Sequence, residues 1–497
     1  MTTTTVDRTA TPPGRTGNHH RLRWFSLGVL GLAQLMVVLD ATIVNIALPA
    51  AQHSLAFSDG DRQWVVTAYA LAFGSLLLLG GRLSDLFGRR TTFMIGLVGF
   101  AVMSAVGGAA GSFGMLVAAR AGQGAFAALL APSALSLLAV TFTRADERAK
   151  AFGIFGAIAG GGGALGLLLG GMLTEWASWR WCLYVNLAFA LLALIGAYYL
   201  LDRTPSEHRP RLDIPGTLAV SAALFSVVYG FSHAESSGWG NAVTVAFLAA
   251  GVVLLGVFAW LQRRVEHPLL PLRIILDRTR GGAYLSVFLT GSGMFAVFLF
   301  LTFYLQTVLG YTPIVTGLAF LPMVAGMMVA ATSSTAVFLP RIGPRVLMTA
   351  GMVVAALGML MLTRIGLDST YAVHILPGLV VTGTGMGMVF APSMQSAITG
   401  VRPEDSGVAS ATVNTMQQVG GSIGTALLST IAATAMSDFM VGRAPTPHTA
   451  ALAAVHSYTT TFWWAAGIFA VGAVVAAVLV RPGLLPDAPE GAVAAAH

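Results

Sequence analysis

Of the 20 acidic residues in this 497-residue chain, only Asp40 falls deep inside a long apolar run. A carboxylate at the centre of a membrane-spanning helix costs about 2.5–3.5 kcal/mol on insertion scales, so such residues are functional by default. The chemistry open to it is uptake and release of a proton. A purely structural hydrogen-bond anchor is the other reading. Arg120 is the basic residue that falls within an apolar run rather than between runs. Asp40 lies nine residues before Pro49, where its run ends, and Arg120 about seven after the start of its own run. At about 1.5 Å per residue, both sit roughly 10–13 Å below the same face. Equal depth is a requirement for an ion pair. Because arginine keeps its charge, a pair that forms and separates would govern the proton on Asp40.

Other chemistries lack their residues. The single cysteine, Cys182, excludes an internal disulfide and a cysteine metal cluster. The ten histidines are scattered and form no His-Glu-x-x-His pattern, so neither a metal site nor an enzyme is expected. Lys150, the only lysine, follows Ala149, so the phosphate-cradling GxxxxGK[ST] loop of an ATP-driven pump is absent. No cofactor is expected; a proton gradient is the energy source the residues suit.

The elements that must position Asp40 are membrane spans. Hydrophobic residues make up 56% of the chain and charged residues 9%, against about 25% charged in a soluble domain. Apolar runs place helices at about 25–49, 63–81, 92–111, 113–140, 151–173, 181–201, 215–233, 243–262, 282–309, 313–338, 346–366, 373–397, 407–436 and 460–480. The fold class is an all-α polytopic membrane protein with 14 spans. On this assignment 22 of the 27 basic residues fall on one side, Arg62, Arg180, Arg364 and Arg443 on the other, and Arg120 within a span. The positive-inside rule makes the first side cytoplasmic, with both termini on it and the chain in the cytoplasmic membrane. The net charge of +7 therefore reflects topology, and no nucleic-acid partner is expected.

The chain also echoes itself. Ala131-Pro132-Ser133 recurs as Ala391-Pro392-Ser393, offset by 260. Arg144, Asp146 and Glu147 are echoed by Arg402, Glu404 and Asp405, and Gly88 before Arg90 by Gly343 before Arg345. Parallel six-helix repeats are one way transporters build a central site. The expected organisation is a tail (1–23), an N-terminal six-helix half (24–201), a linker with two extra helices (202–281), a C-terminal six-helix half (282–480) and a second tail (481–497). The C-terminal half has no counterpart of the charged pair: Phe298 and Val380 stand at the equivalent places. It offers instead an apolar wall, with candidates Phe295, Phe298, Phe303, Tyr304 and Gln306 on one span and Met386, Met388, Asn414 and Gln417 on later ones. Asn45 and Gln123 are the candidates from the N-terminal half. Aromatic and methionine side chains suit varied hydrophobic guests; the same residues could equally face lipid or neighbouring helices.

Several stretches carry a family resemblance. Leu39-Asp40-Ala41-Thr42-Ile43-Val44-Asn45-Ile46-Ala47-Leu48-Pro49 is similar to the first-helix signature of the fourteen-helix drug:H+ antiporter branch of the major facilitator superfamily. Gly81-Arg82-Leu83-Ser84-Asp85-Leu86-Phe87-Gly88-Arg89-Arg90 resembles the superfamily's loop 2–3 motif, and Arg120-Ala121-Gly122-Gln123-Gly124 its fourth-helix motif. Phe303-Tyr304-Leu305-Gln306 with Leu309-Gly310-Tyr311 is also branch-like. The fifth span keeps the glycines Gly156, Gly160, Gly162, Gly166, Gly170 and Gly171, but has Gly163 and Leu167 where the family's antiporters carry prolines.

The resemblance implies proton-coupled efflux of drugs, antibiotics or other amphiphilic small molecules by alternating access. Asp40 and Arg120 would serve proton coupling. Gly81, Asp85, Gly88, Arg89 and Arg90 would form a conformational latch near the cytoplasmic face. The implied partners are membrane lipids, a small amphiphilic substrate and protons, with the chain acting as a monomer. A dedicated exporter of an endogenous natural product and a metabolite:H+ symporter are the alternatives. The branch resemblance, not the physics, favours export.

Overall fold

The computed structural model describes residues 16–58, 61–142, 144–201, 213–266, 268–401 and 405–484. Both outer tail segments, most of the loop from 202, and the echo residues Arg402 and Glu404 lie outside them. Among the described residues every regular element is helical. The first six are α1 (Thr16–Leu55), α2 (Gln63–Phe87), α3 (Arg89–Gly108), α4 (Phe113–Thr141), α5 (Ala145–Trp176) and α6 (Trp181–Leu200). Next come α7 (Ile214–Ser237), α8 (Ala242–Arg264) and the short α9 (Leu272–Ile275). Then follow α10 (Arg278–Ala296), α11 (Pro313–Ser333), α12 (Leu339–Leu362), α13 (Leu376–Ile398), α14 (Ser406–Met440) and α15 (Pro447–Leu479). Two π-helical turns, Val297–Leu301 and Tyr304–Val308, carry α10 onward.

Twelve helical stretches among the described residues are long and apolar enough to cross a membrane. The 32-residue α5 is not among the twelve. One of them, Pro313–Leu362, is 50 residues long. At about 1.5 Å per residue it would reach about 75 Å, more than twice a bilayer core. Its helical dihedrals break at Gly343 (φ 73°, ψ 167°). The protein is thus an all-helical, multi-pass membrane protein with twelve to fourteen apolar helices.

Helix ends depart from the hydropathy pattern where capping takes over. α15 begins at Pro447, well before the expected 460, because Thr446 Oγ1 accepts from Thr449 N at 3.1 Å and proline occupies the first turn. Asp213, expected in a loop, caps α7 instead: Oδ1 accepts from Gly216 N at 2.8 Å, and Gln262 Nε2 of α8 donates to Oδ2 at 2.5 Å. Gln262 Oε1 then accepts from Leu270 N at 2.9 Å, which ties the α7–α8 pair to the stretch of chain leading into α10.

One core cluster draws only on α1–α6 and their flanks, from Leu27 to Leu201. A second joins α1, α2 and α5 to α10, α11 and α15. A third links α2, α7 and α8 with α10, α13 and α14. Positive φ at both Gly88 (88°) and Gly343 (73°) gives the two echoed loops the same sharp reversal, one that favours glycine. The echoed prolines, Pro132 and Pro392, lie inside α4 and α13.

Candidate functional site

Asp40 is fully buried, and four helices converge on it. From α4, Arg120 Nη1 donates to Oδ2 at 2.5 Å. Gln123 Nε2, one turn further along α4, donates to Oδ1 at 3.0 Å. From α6, Asn186 Nδ2 donates to the same oxygen at 2.7 Å. Ser104 Oγ on α3 accepts from Gln123 Nε2 at 2.7 Å and from Asn186 Nδ2 at 3.4 Å. Positions 120 and 123 are i and i+3, so both side chains leave α4 on one face. Arg120 is further held by Val65 O, 3.2 Å from Nε, and by the Tyr69 ring, whose centroid is 4.5 Å from Cζ. Both carboxylate oxygens are therefore satisfied without water. That is the condition under which a charge survives in a low-dielectric interior.

Sequence reasoning alone does not single out Asn186 and Ser104. Asn186 has a legible signal, as the amide in the otherwise apolar run of α6. Ser104 has none, since buried serines occur throughout the chain.

The glycines of α5 set how closely α1 approaches. A Cβ on Gly166 would overlap Thr42 Oγ1, and one on Gly170 would lie 2.9 Å from Ile43 O. Gly162 faces Leu35 and Val38, whereas Gly171 faces Pro313 and Ile314 of α11. Gly156 and Gly160 lie outside the parts whose packing is described, as does the Asp85 side chain. Of the loop 2–3 residues, Arg90 reaches furthest: Nη2 donates to Tyr198 O at 2.6 Å and Nε to Ala197 O at 3.3 Å, at the C-terminal end of α6. Gly81 lies against Pro132, and Arg89 is half-buried.

The expected cavity wall is packed in this state rather than open. Phe295, Phe298, Phe303 and Tyr304 belong to the buried cluster that also holds Ile43, Ile46 and Ala47 of α1, and Met386 is buried beside them. Gln306 Nε2 donates to Ile46 O at 3.1 Å. Asn45 Nδ2 donates to Ala41 O at 3.1 Å and Asn414 Nδ2 to Ser410 O at 3.4 Å, each within its own helix. Gln417 is half-buried, its backbone against Gly291. A cavity of about 550 Å3 lies between α11 and α13, and of the expected wall residues only Met388 lines it. Its α11 lining, Pro322, Gly326 and Val329, is on the opposite face of that helix from the buried Phe320.

The packed cluster lies at the arginine-poor end of the helices. There Glu175 Oε2 accepts from Ile314 N at 3.1 Å, and Arg62 Cζ sits 4.1 Å from the Phe303 ring centroid. Helices α1 and α5 meet α11 and the chain just after α10 closely at this end, through Gln306 on Ile46 O and Gly171 on Pro313 and Ile314.

The family profile described as Major Facilitator Superfamily matches residues 30–425. The chain belongs to the major facilitator superfamily. Its relatives in the superfamily include the puromycin resistance protein of Streptomyces alboniger, 48% identical over 460 residues, 92% of this chain and 91% of that one. The cephamycin export protein of Amycolatopsis lactamdurans is 39% identical over 402 residues, covering 80% and 83%. The tetracenomycin C resistance and export protein of Streptomyces glaucescens is 35% identical over 417 residues, covering 84% and 77%. Among solved structures, the POT family transporter described in meso superposes with a TM-score of 0.69 at 15% identity, covering 92% of this chain and 97% of that one. At that identity the likeness speaks for the fold alone. As a superfamily member with these relatives, the chain is a transporter and not an enzyme.

Proposed function

We propose that this superfamily member exports an antibiotic-class amphiphile from the cell in exchange for protons, with Asp40 as the proton-carrying group. One observation carries the reading: a fully buried carboxylate held by Arg120, Gln123 and Asn186 from neighbouring helices. Helix movements that draw Arg120 away would leave a buried charge without compensation, and a proton would replace it. The relatives support the direction of transport, since three of them are named for resistance to, or export of, an antibiotic. The positive-inside rule makes the arginine-rich side cytoplasmic, with both termini there and fourteen crossings. The packed arginine-poor end then corresponds to a state closed to the outside. Arg90 on the α6 carbonyls would belong to the latch, and the chain would work as a monomer without a cofactor.

Puromycin is the first substrate to test, because the relative named for resistance to it is 48% identical over nearly the whole chain. In an efflux-deficient bacterium, wild type should lower puromycin accumulation. A protonophore and Asp40→Asn at equal membrane abundance should each abolish that effect. Full efflux by Asp40→Asn would remove Asp40 from the mechanism. Accumulation driven inward by the proton gradient would favour the symporter. Export of cephamycin or tetracenomycin C alone, with no dye or second drug moved, would favour a dedicated exporter.

A further inference from the structure

The six-helix groups meet along two seams of opposite character. Between α5 and α11 the contact is apolar and close, with Gly171 against Pro313 and Ile314 and Gly317 against the Leu167 backbone. Between α2 and α14 the contact is polar. Gln63 and Thr67 on α2 are fully buried, and both amide atoms of Gln63 and the hydroxyl of Thr67 lack any hydrogen-bond partner. On α14, Ser422, Thr425 and Ser429 are at least nine-tenths buried with hydroxyls equally unpartnered.

Helical register brings these groups to one place. Gly74 of α2 packs against Gln418 and Val419 of α14. Gln63, Thr67 and Gly74 follow one another at intervals of four and seven, and Gln418, Ser422, Thr425 and Ser429 at four, three and four, so each set forms one stripe. Arg62 over Phe303 sets the start of α2 level with the far end of α10. α10 runs parallel to α14, with Phe288 against Gly420 and Ser292 against Gly424. Hence α2 and α14 are antiparallel, and Gln63 and Thr67 stand opposite the Thr425–Ser429 turn.

A third helix closes this seam. Trp64 contacts Tyr229 of α7, their ring centroids 5.8 Å apart. Ser232, one turn nearer the same end, is fully buried and its hydroxyl is also unpartnered. α7 touches both α2 and α14. Hydrocarbon offers no hydrogen bond to such groups, whereas water satisfies several at once.

We infer that the α2–α14 seam is a water-binding slot at the arginine-poor end, and that the α7–α8 pair roofs it against lipid. The inserted pair thereby lets a polar surface persist between the two six-helix groups inside a membrane. Water already in place lowers the cost of parting α2 from α14, while the α5–α11 seam stays dry.

Cysteine accessibility in membrane vesicles tests both parts. Cys182 is the only native cysteine, so Cys182→Ala serves as background for Thr67→Cys, Ser429→Cys and, as the dry control, Leu167→Cys. A small cationic methanethiosulfonate should modify Thr67→Cys and Ser429→Cys at least tenfold faster than Leu167→Cys. A long-chain alkyl maleimide confined to lipid should modify them no faster than the control. Equal rates with the hydrophilic reagent would overturn the slot, and fast labelling from lipid would overturn the roof. Thr67→Val, which keeps the side-chain shape, should slow hydrophilic labelling of Ser429→Cys at least threefold; an unchanged rate would count against a shared water path. None of these readouts needs a transported substrate, so their failure is distinct from failure of the export reading.

Discussion

At the residue scale, the cluster around Asp40 divides its labour among charge, geometry and support. Arg120 uses Nη1 for the carboxylate and Nε for Val65 O. A lysine keeps the charge, but its three donors radiate from one point and lack the planar fork that reaches the carboxylate and the carbonyl from separate nitrogens. Arg120→Lys should therefore insert normally yet lower efflux about tenfold or more, measured as initial rates at matched abundance. Asn186→Leu removes one of the two donors to Oδ1. Loss of a hydrogen bond to a charged group costs about 1.5–3 kcal/mol, so the detergent-purified variant should melt at a lower temperature. An unaltered melting temperature would show that Asn186 is dispensable to the cluster.

At the scale of elements, the glycines of α5 are not equivalent. Gly166 and Gly170 lie against the backbone of α1, but a Cβ at Gly161 would meet nothing within 4 Å. Gly166→Val should force α1 and α5 apart and reduce membrane abundance sharply. Gly161→Ala should be tolerated, or stabilise by about 0.5–1 kcal/mol through helix propensity. Comparable losses at both positions would rule out close packing as the reason for the motif. The echoed loops permit a similar ranking. Gly88→Ala adds strain from its positive φ alone (φ 88°, ψ 137°), about 1–3 kcal/mol. Gly343→Ala adds the same strain and a clash with Gly483 O, so it should be the more damaging in a thermal melt.

For the whole molecule, closure of the arginine-poor end is the distinguishing feature of this state. Gly171 packs on Pro313 and Ile314, Gln306 bonds to Ile46 O, and Glu175 caps the start of α11. A transporter that alternates must separate these contacts in every cycle. In a Cys182→Ala background, a Glu175→Cys/Ile314→Cys pair, whose native side chain and backbone already meet across this seam, should be bridged by a short bis-methanethiosulfonate, which should arrest efflux until reductant restores it. Continued efflux while cross-linked would mean that this seam does not open.

What the sequence by itself determined is the class of the molecule and the depth of its chemistry. Apolar runs and the distribution of arginines specify helices in a membrane, because hydrocarbon tolerates little else. Asp40 and Arg120 could be found because charges are so costly there that each one stands out. Asn186 and Ser104 could not be singled out in the same way, since an amide or hydroxyl costs far less to bury and many are present. Only the tertiary structure decided which helix faces met. It placed Phe295, Phe298 and Tyr304 in a packed closure rather than an open wall, and capped α15 at Thr446 ahead of its apolar run. It also set the unpartnered hydroxyls of α14 opposite Gln63. Hydropathy records how deep a residue lies, but not its rotation about the helix axis relative to a partner distant in sequence, and that rotation is settled by packing.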